Sequence, residues 1–525
     1  MKILPRLPLK RIPFTLLLLA CALSWATAPA LAATTTAPAP TATVAVAAPA
    51  TKSSAPATSR ATPAANNTVG KNALTAAQAA AQAAAQTAAQ TASAAAAAAA
   101  KEQAAKEAVV AAAAAAHAEP LIKGYAVAIG GALKADNEEV WGRIVALAGG
   151  KGARFVVFGT ASEDPEASAR QAVDMLQRRG AVAEALPVAP KFSWVDLSKV
   201  VRDPALINKV KNARGVFFTG GSQERIVDVL MPGGRSTPML DAIWDVYRRG
   251  GVVAGTSAGA AIMSTVMFRD APSVINIMKG KWMDGKQIDR GLGFVGPDLF
   301  VDQHFLKRGR FGRMIPLMMA KGYKLGLGVD ENSAAIMHGD DIEVIGGKGA
   351  LMVDLNDVKT DPTLGAFNLT NARLTYLDHG DRYQVKTRVT TPSALKLRGE
   401  KLDPTAADFK PYHTAELFHL DMLGDSTISN SMNYLIDSKL AEVRGLTFDV
   451  IPKEGDPVAD LGFLFRVYKG PGSLGWSTDE MGPEEYTVIS LYLDITPVRM
   501  PQPIYKAWPI ADRLNAPAAE QAGSK

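Results

Sequence analysis

The stretch 250–263, Gly-Gly-Val-Val-Ala-Gly-Thr-Ser-Ala-Gly-Ala-Ala-Ile-Met, constrains this chain more than any other. Its first half reads as a short buried strand. Its second half reads as a helix of small residues. Between them, Gly255-Thr256-Ser257-Ala258-Gly259 fits a nucleophile elbow, a sharp strand-to-helix turn that lifts a serine hydroxyl clear of a sheet. Glycines two positions either side of the serine are needed because side chains there would collide across the turn. A helix starting at such a turn would direct its free N–H groups at developing negative charge. A packing turn built of small residues has the same pattern, so the reading needs partners elsewhere in the chain.

The flanking sequence supplies a sheet. Residues 125–131, 154–159 and 215–221 are apolar runs ending in glycine, with a shorter run at 182–186. Helical patterns fall between them at 140–147, 167–178, 226–230 and 239–248. Apolar strands alternating with helices predict an α/β fold with a parallel sheet covered on both faces. Sites in such folds gather at the carboxyl ends of strands. The turns at Gly130-Gly131 and Gly220-Gly221, and the elbow itself, are expected at such ends.

The 525 residues suggest about three domains on length alone. Residues 1–32 read as a signal peptide: Lys2, Arg6, Lys10 and Arg11, an apolar run at 13–20, then Ala30-Leu31-Ala32 as a cleavage site. The run is too short for a stable membrane span. Leu18-Leu19-Ala20-Cys21 also fits a lipobox, and Cys21 is the only cysteine. Plain cleavage predicts a secreted or periplasmic protein without thiols; lipidation at Cys21 predicts a lipoprotein. Losing the four basic residues takes the net charge from +6 to +2, which gives no case for nucleic acid. Residues 33–70 are rich in Ala, Thr, Pro and Ser and predict a disordered linker; 72–117 are Ala-rich with Gln at every fourth position from Gln78 to Gln90, a solvated helix or a plain tether within a 33–120 linker region. Residues 392–505 carry short strand-like runs between Gly and Pro clusters and predict an α+β or β-rich appendage, with a disordered tail at 506–525. No metal-ligand spacing is present in the sequence, and no cofactor is implied.

A serine nucleophile needs a base, and the base needs an orienting group. His304 ends the apolar run 299–303, and Asp330-Glu331 end the run 325–329. Ser257, His304 and Glu331 are thus all expected on one rim of the sheet. Each taken singly has a plain alternative, a hydrogen-bonding histidine or a solvated turn acid. The order Ser, His, Glu differs from that of α/β-hydrolases, where the acid precedes the histidine.

The segments Phe218-Thr219-Gly220-Gly221-Ser222-Gln223, Gly255-Thr256-Ser257-Ala258-Gly259-Ala260, Asp302-Gln303-His304-Phe305 with Arg308-Gly309-Arg310-Phe311-Gly312-Arg313, and Gly328-Val329-Asp330-Glu331 resemble, in order and spacing, the cyanophycinase family with its relative dipeptidase E. The resemblance covers about 121–391. It implies a serine exopeptidase on a flavodoxin-like, glutamine-amidotransferase-like fold, with a Ser257-His304-Glu331 triad. It implies a cyanophycin substrate, poly-aspartate carrying arginine on each side-chain carboxylate, cut to β-Asp-Arg dipeptides. Positions matching Gln223, Asp302, Gln303, Arg310 and Arg313 line the family's substrate pocket. Where the family often carries a basic residue after Asp-Gln, this chain has Ser222-Gln223-Glu224-Arg225, so Arg225 is the candidate substitute. The backbone N–H groups of Ala258 and Gly221 are the candidate oxyanion donors, each worth roughly 3–4 kcal/mol. Arg310 and Arg313, three apart, would share one helix face toward substrate carboxylates if a helix starts near His304; a solvated basic face is the alternative. An aspartyl dipeptidase of the dipeptidase E type, and a catalytically silent envelope protein, are the competing functions. A homodimer is compatible with the sequence.

Overall fold

Five short strands, Tyr125–Ile129 (β1), Arg154–Phe158 (β2), Val182–Leu186 (β3), Gly215–Phe218 (β4) and Val252–Thr256 (β5), pair in parallel in the order β3-β2-β4-β5-β1. Their side chains alternate between two cores. Ala126, Ala128, Phe158, Phe218 and Val253 pack on one face; Val127, Ile129, Val157, Phe217 and Ala254 pack on the other. Burial on both faces is why β1, β4 and β5 and all of β2 after Arg154 are nearly all apolar, whereas β3, at the sheet edge, carries the exposed Glu184. Glu138–Leu147 (α1) and Pro165–Arg178 (α2) cover one face, and Pro204–Lys211 (α3), Gln223–Leu230 (α4) and Pro238–Arg248 (α5) the other. Side-chain caps start α1, α2 and α5: Asn137, Asp164 and Thr237 accept hydrogen bonds from Val140 N, Ala167 N and Leu240 N, with proline opening α2 and α5. The fold is the expected α/β class.

This computed structural model describes residues 124–271, 273–480, 484–501 and 503–505. The expected signal peptide with Cys21, the linker, the Ala/Gln-rich segment and the C-terminal tail lie outside the described residues. Among the described residues, no helix is long and apolar enough to cross a membrane.

Beyond the elbow helix Ala258–Ala261 (α6), the chain builds a second sheet of ten strands. Leu299–Gln303 (β6) and Leu325–Val329 (β7) pair in parallel, with Gln303 opposite Val329. Helix Phe311–Lys321 (α7) connects them. After β7 the chain crosses at 330–332 into the first sheet, where Ser333–His338 (β8) lies antiparallel to β1 and Asp341–Gly346 (β9) antiparallel to β8. It then returns to the second sheet as Ala350–Asp354 (β10) and Leu369–Leu377 (β11). The β-rich C-terminal region continues that same sheet: Glu485–Arg499 pairs with β11, Leu461–Tyr468 with Glu485–Arg499, and Glu442–Thr447 with Leu461–Tyr468. Phe300, Phe311, Met314, Leu351 and Phe465 form its core on one face. On the other face, Val301, Leu327 and Met352 share the core that holds Ala128 and Phe218.

The single rim expected for the three candidate catalytic residues is corrected here. Ser257 follows β5 in the first sheet, whereas His304 and Glu331 follow β6 and β7 in the second. The residues meet because the two sheets share a core and the 330–332 crossing binds their ends together.

Candidate active site

Three consecutive carbonyls at the end of β1 hold the three candidate loops. Ile129 O accepts from Ser257 N at 2.9 Å, Gly130 O from His304 N at 2.6 Å and Gly131 O from Asn332 N at 2.8 Å. Gly130 N in turn donates to Ser333 O at 3.1 Å. The Gly130-Gly131 turn was visible in the sequence as a strand-end signal; its role as the common anchor was not.

Ser257 has φ 54° and ψ −108°, the strained geometry of the elbow. Its glycines are required: a β-carbon on Gly255 would lie 2.3 Å from Gly259 O, and one on Gly259 would lie 2.7 Å from Phe218 Cβ. The helix that follows spans only Ala258–Ala261, too short for a sizeable helix dipole. Among the described residues, no backbone acceptor meets the N–H of Gly220, Gly221 or Ala258. Gly220 abuts the serine, since a β-carbon there would lie 3.3 Å from Ser257 Cβ.

Ser257 Oγ lies 3.0 Å from His304 Nε2, and His304 Nδ1 lies 2.7 Å from Glu331 Oε1. Gln303 Oε1 sits 3.5 Å from the same Oγ. Burial pushes the His304 imidazole below the ordinary histidine range. The hydrogen bond that Glu331 accepts from it pulls upward, and the cations of Arg308 and Arg310 push down again. The result favours a neutral imidazole, which is what a general base requires.

The buried acid Asp330 was quoted in the sequence but given no role. Its Oδ1 accepts from Leu306 N at 3.1 Å and Lys307 N at 2.9 Å, tying the loop after His304 to the loop of Glu331. Burial raises its pKa. The adjacent acids after β7 were the available signal.

The basic segment differs from expectation. Residues 304–310 are turns, and α7 begins at Phe311. Arg313 is buried and faces Asp302, donating through Nε to Oδ2 at 2.8 Å and through Nη2 to Oδ1 at 2.7 Å. Its Nη1 donates to Ala271 O at 2.9 Å, and its guanidinium lies 4.2 Å from the Phe268 ring centroid. Burial alone would raise the Asp302 carboxyl, but Arg313 and Arg310 hold it low. Asp302 and Arg313, both expected at the substrate pocket, are thus engaged with each other in this structure. Arg310 differs: it is half-buried, donates through Nη1 to Gln303 O at 2.8 Å, and stands 3.7 Å from Asp302 Oδ1. Burial and the Arg313 cation disfavour its charge, so an anionic ligand would relieve it. Gln223 Nε2 donates to Phe268 O at 2.7 Å. Arg225 is held by Glu163 and, through Nη1, by Ala161 O at 3.0 Å, so it braces the loop packed against Gly221 instead of standing free.

The model for Peptidase family S51 matches residues 126–345. The curated cyanophycinase of Nostoc sp. strain PCC 7120 is 30% identical over 289 residues, covering 52% of this chain and 90% of that protein. The cyanophycinase of Geminocystis herdmanii strain PCC 6308 is 30% identical over 279 residues, covering 51% of this chain and 95% of that protein. Among solved structures, a peptidase from an acI-B1 Actinobacterium aligns at 21% identity and TM-score 0.37, covering 51% of this chain and 98% of that one. At 30% identity across nine-tenths or more of each curated relative, this chain belongs to the cyanophycinase family of serine-type peptidases, Peptidase family S51.

Proposed function

We propose that this chain is an exported serine exopeptidase that hydrolyses cyanophycin to β-Asp-Arg dipeptides through a Ser257-His304-Glu331 triad. One observation carries the reading: the hydroxyl, imidazole and carboxylate stand in a line of two hydrogen-bonding distances, 3.0 Å and 2.7 Å. Ser257 Oγ attacks the scissile carbonyl carbon while His304 Nε2 takes its proton. Glu331 accepts from Nδ1–H, fixes that tautomer and stabilises the imidazolium that forms. The N–H groups of Ala258 and Gly221 stabilise the oxyanion. Collapse of the tetrahedral intermediate breaks the C–N bond, and the proton on His304 passes to the leaving amine. Water, deprotonated by His304, then hydrolyses the acyl-enzyme and restores Ser257.

Arg310 pairs with a substrate carboxylate, and Gln303 and Gln223 orient the substrate beside it. Asp302 and Arg313 support that wall from behind. The cyanophycin assignment is supported by the names of the curated relatives and by the resemblance of this chain's segments to the family's.

Incubation of the purified enzyme with insoluble cyanophycin tests the substrate. Release of β-Asp-Arg is expected. Inert polymer together with cleavage of short aspartyl peptides would instead establish the dipeptidase E type. Export is proposed from residues 1–32, with the mature chain starting at Ala33. N-terminal sequencing of the exported protein tests it, and an acylated start at Cys21 would show a lipoprotein.

A further inference from the structure

Leu306, two residues after His304, is held from both sides. Its N–H donates to Asp330 Oδ1 at 3.1 Å, and its carbonyl accepts from Ser426 N at 3.0 Å. Asp330 follows β7, but Ser426 belongs to the C-terminal region, beyond every segment that resembles the family. Ser426 has φ 57°, a left-handed conformation uncommon for serine, so the chain carries strain where it makes this contact. The residues before Ser426 pack on the same turn. Gly309 is buried with φ 54°, and a β-carbon there would lie 2.2 Å from Leu423 O. One on Gly312 would lie 2.8 Å from Leu423 Cδ2. Lys307 Nζ pairs with Asp425 at an exposed position, where such a pair adds little. Beneath the turn, Phe311 meets Phe465 edge to face with ring centroids 5.6 Å apart. The neighbouring wall is tied down in the same way. Lys279, its side chain fully buried, donates to Asp449 Oδ2 at 2.6 Å and Val458 O at 3.0 Å. That wall supplies Phe268 O to Gln223 and Ala271 O to Arg313.

From these contacts we infer that the 421–426 loop of the C-terminal region is a positioning element of the active site, which fixes the turn that carries Arg310. The inference rests on the proposed role of Arg310 in binding a substrate carboxylate. His304 depends on the loop less, because its own N–H is anchored on Gly130 O at 2.6 Å. Arg310 sits at the far end of the turn, where its N–H donates to Phe305 O at 2.9 Å, so its place follows that of the turn. The C-terminal region therefore acts on substrate affinity more than on the chemical step. Leu423 is the positioning residue best suited to a test, since its side chain reaches Gly312 and its carbonyl abuts Gly309.

The test compares Leu423→Ala, Leu423→Met and Leu402→Ala in the full chain. Leu402 is buried in the strand Glu400–Leu402, which joins the sheet through Leu474–Thr478, so Leu402→Ala lowers stability without reaching the turn. Two quantities are measured for each variant: amide hydrogen exchange over 304–312 relative to β1, and steady-state kinetics on the substrate that the wild type cleaves. Leu423→Ala is expected to speed the relative exchange about tenfold and raise KM about tenfold with kcat within about twofold, short of the roughly 10²-fold that a 1 Å misplacement can cost. Leu423→Met, of similar volume, should keep both near the wild-type values. Leu402→Ala should move neither. Unchanged exchange and KM in Leu423→Ala, or equal changes in Leu402→Ala, overturn the inference. If the wild type cleaves no aspartyl substrate, the proposed function fails, and the exchange comparison alone decides whether the C-terminal loop holds the turn.

Discussion

Gly131 lies directly against the His304 imidazole: a β-carbon on Gly131 would fall 2.2 Å from Cε1 and 2.4 Å from Nε2. The residue also has φ 107°, which side chains other than hydrogen rarely allow. Gly131→Ala must therefore displace the base or the end of β1. A displacement of about 1 Å at the reacting groups costs roughly 10²-fold in rate. We expect kcat to fall by at least that much in a protein that remains folded by circular dichroism. A normal kcat would show that His304 is not held by this contact.

Arg313 is expected to act on stability before it acts on substrate. Removing it leaves the buried Asp302 facing only the Arg310 cation at 3.7 Å, and breaking a buried pair from one side costs up to about 3–5 kcal/mol. Arg313→Ala should lower the midpoint of denaturant unfolding accordingly, while Arg308→Ala, at an exposed position, should shift it by less than about 0.5 kcal/mol. Equal effects of the two changes would contradict the buried pairing.

The acid limb of the pH profile should report His304. Its folded-state pKa is lowered by burial and by the Arg308 and Arg310 cations, against the pull of Glu331. The limb of kcat/KM is thus expected below the ordinary histidine value of about 6.5. Arg308→Gln removes a cation and makes the imidazolium easier to form, so the limb should move up. Movement downward would place another group in control of that limb.

Asp330 holds two backbone N–H groups behind the imidazole loop. Asp330→Ala would strand both, at about 1–3 kcal/mol for each group left buried without a partner. We expect a lower melting temperature and a reduced kcat with KM little changed, since this side chain reaches the loops and not the substrate. An unchanged kcat would confine Asp330 to stability.

The local devices of this site were legible in sequence because they depend on neighbours. Gly255-x-Ser257-x-Gly259 specifies its own turn, and glycines at 130–131 and 220–221 mark strand ends. His304 and Glu331 stood out as chemistry at the ends of apolar runs. What the sequence could not show was pairing at long range. The run at 299–303 looks like those at 125–129 and 252–256, yet it pairs with 325–329 in another sheet. A spacing of three places Arg310 and Arg313 near each other without saying what lies opposite. The partner of Arg313 is Asp302, eleven residues earlier, brought there by the turns at 304–310.

The central claim is that Ser257 is the nucleophile of the line formed with His304 and Glu331, and Ser257→Ala tests it most directly. Steady-state hydrolysis should be measured on the substrate that the wild type cleaves, together with thermal unfolding of both proteins. The account predicts a loss of at least ~10³-fold in kcat with an unchanged melting temperature, the scale of loss when a triad nucleophile is removed. A correctly folded Ser257→Ala protein turning over at near the wild-type rate would contradict it.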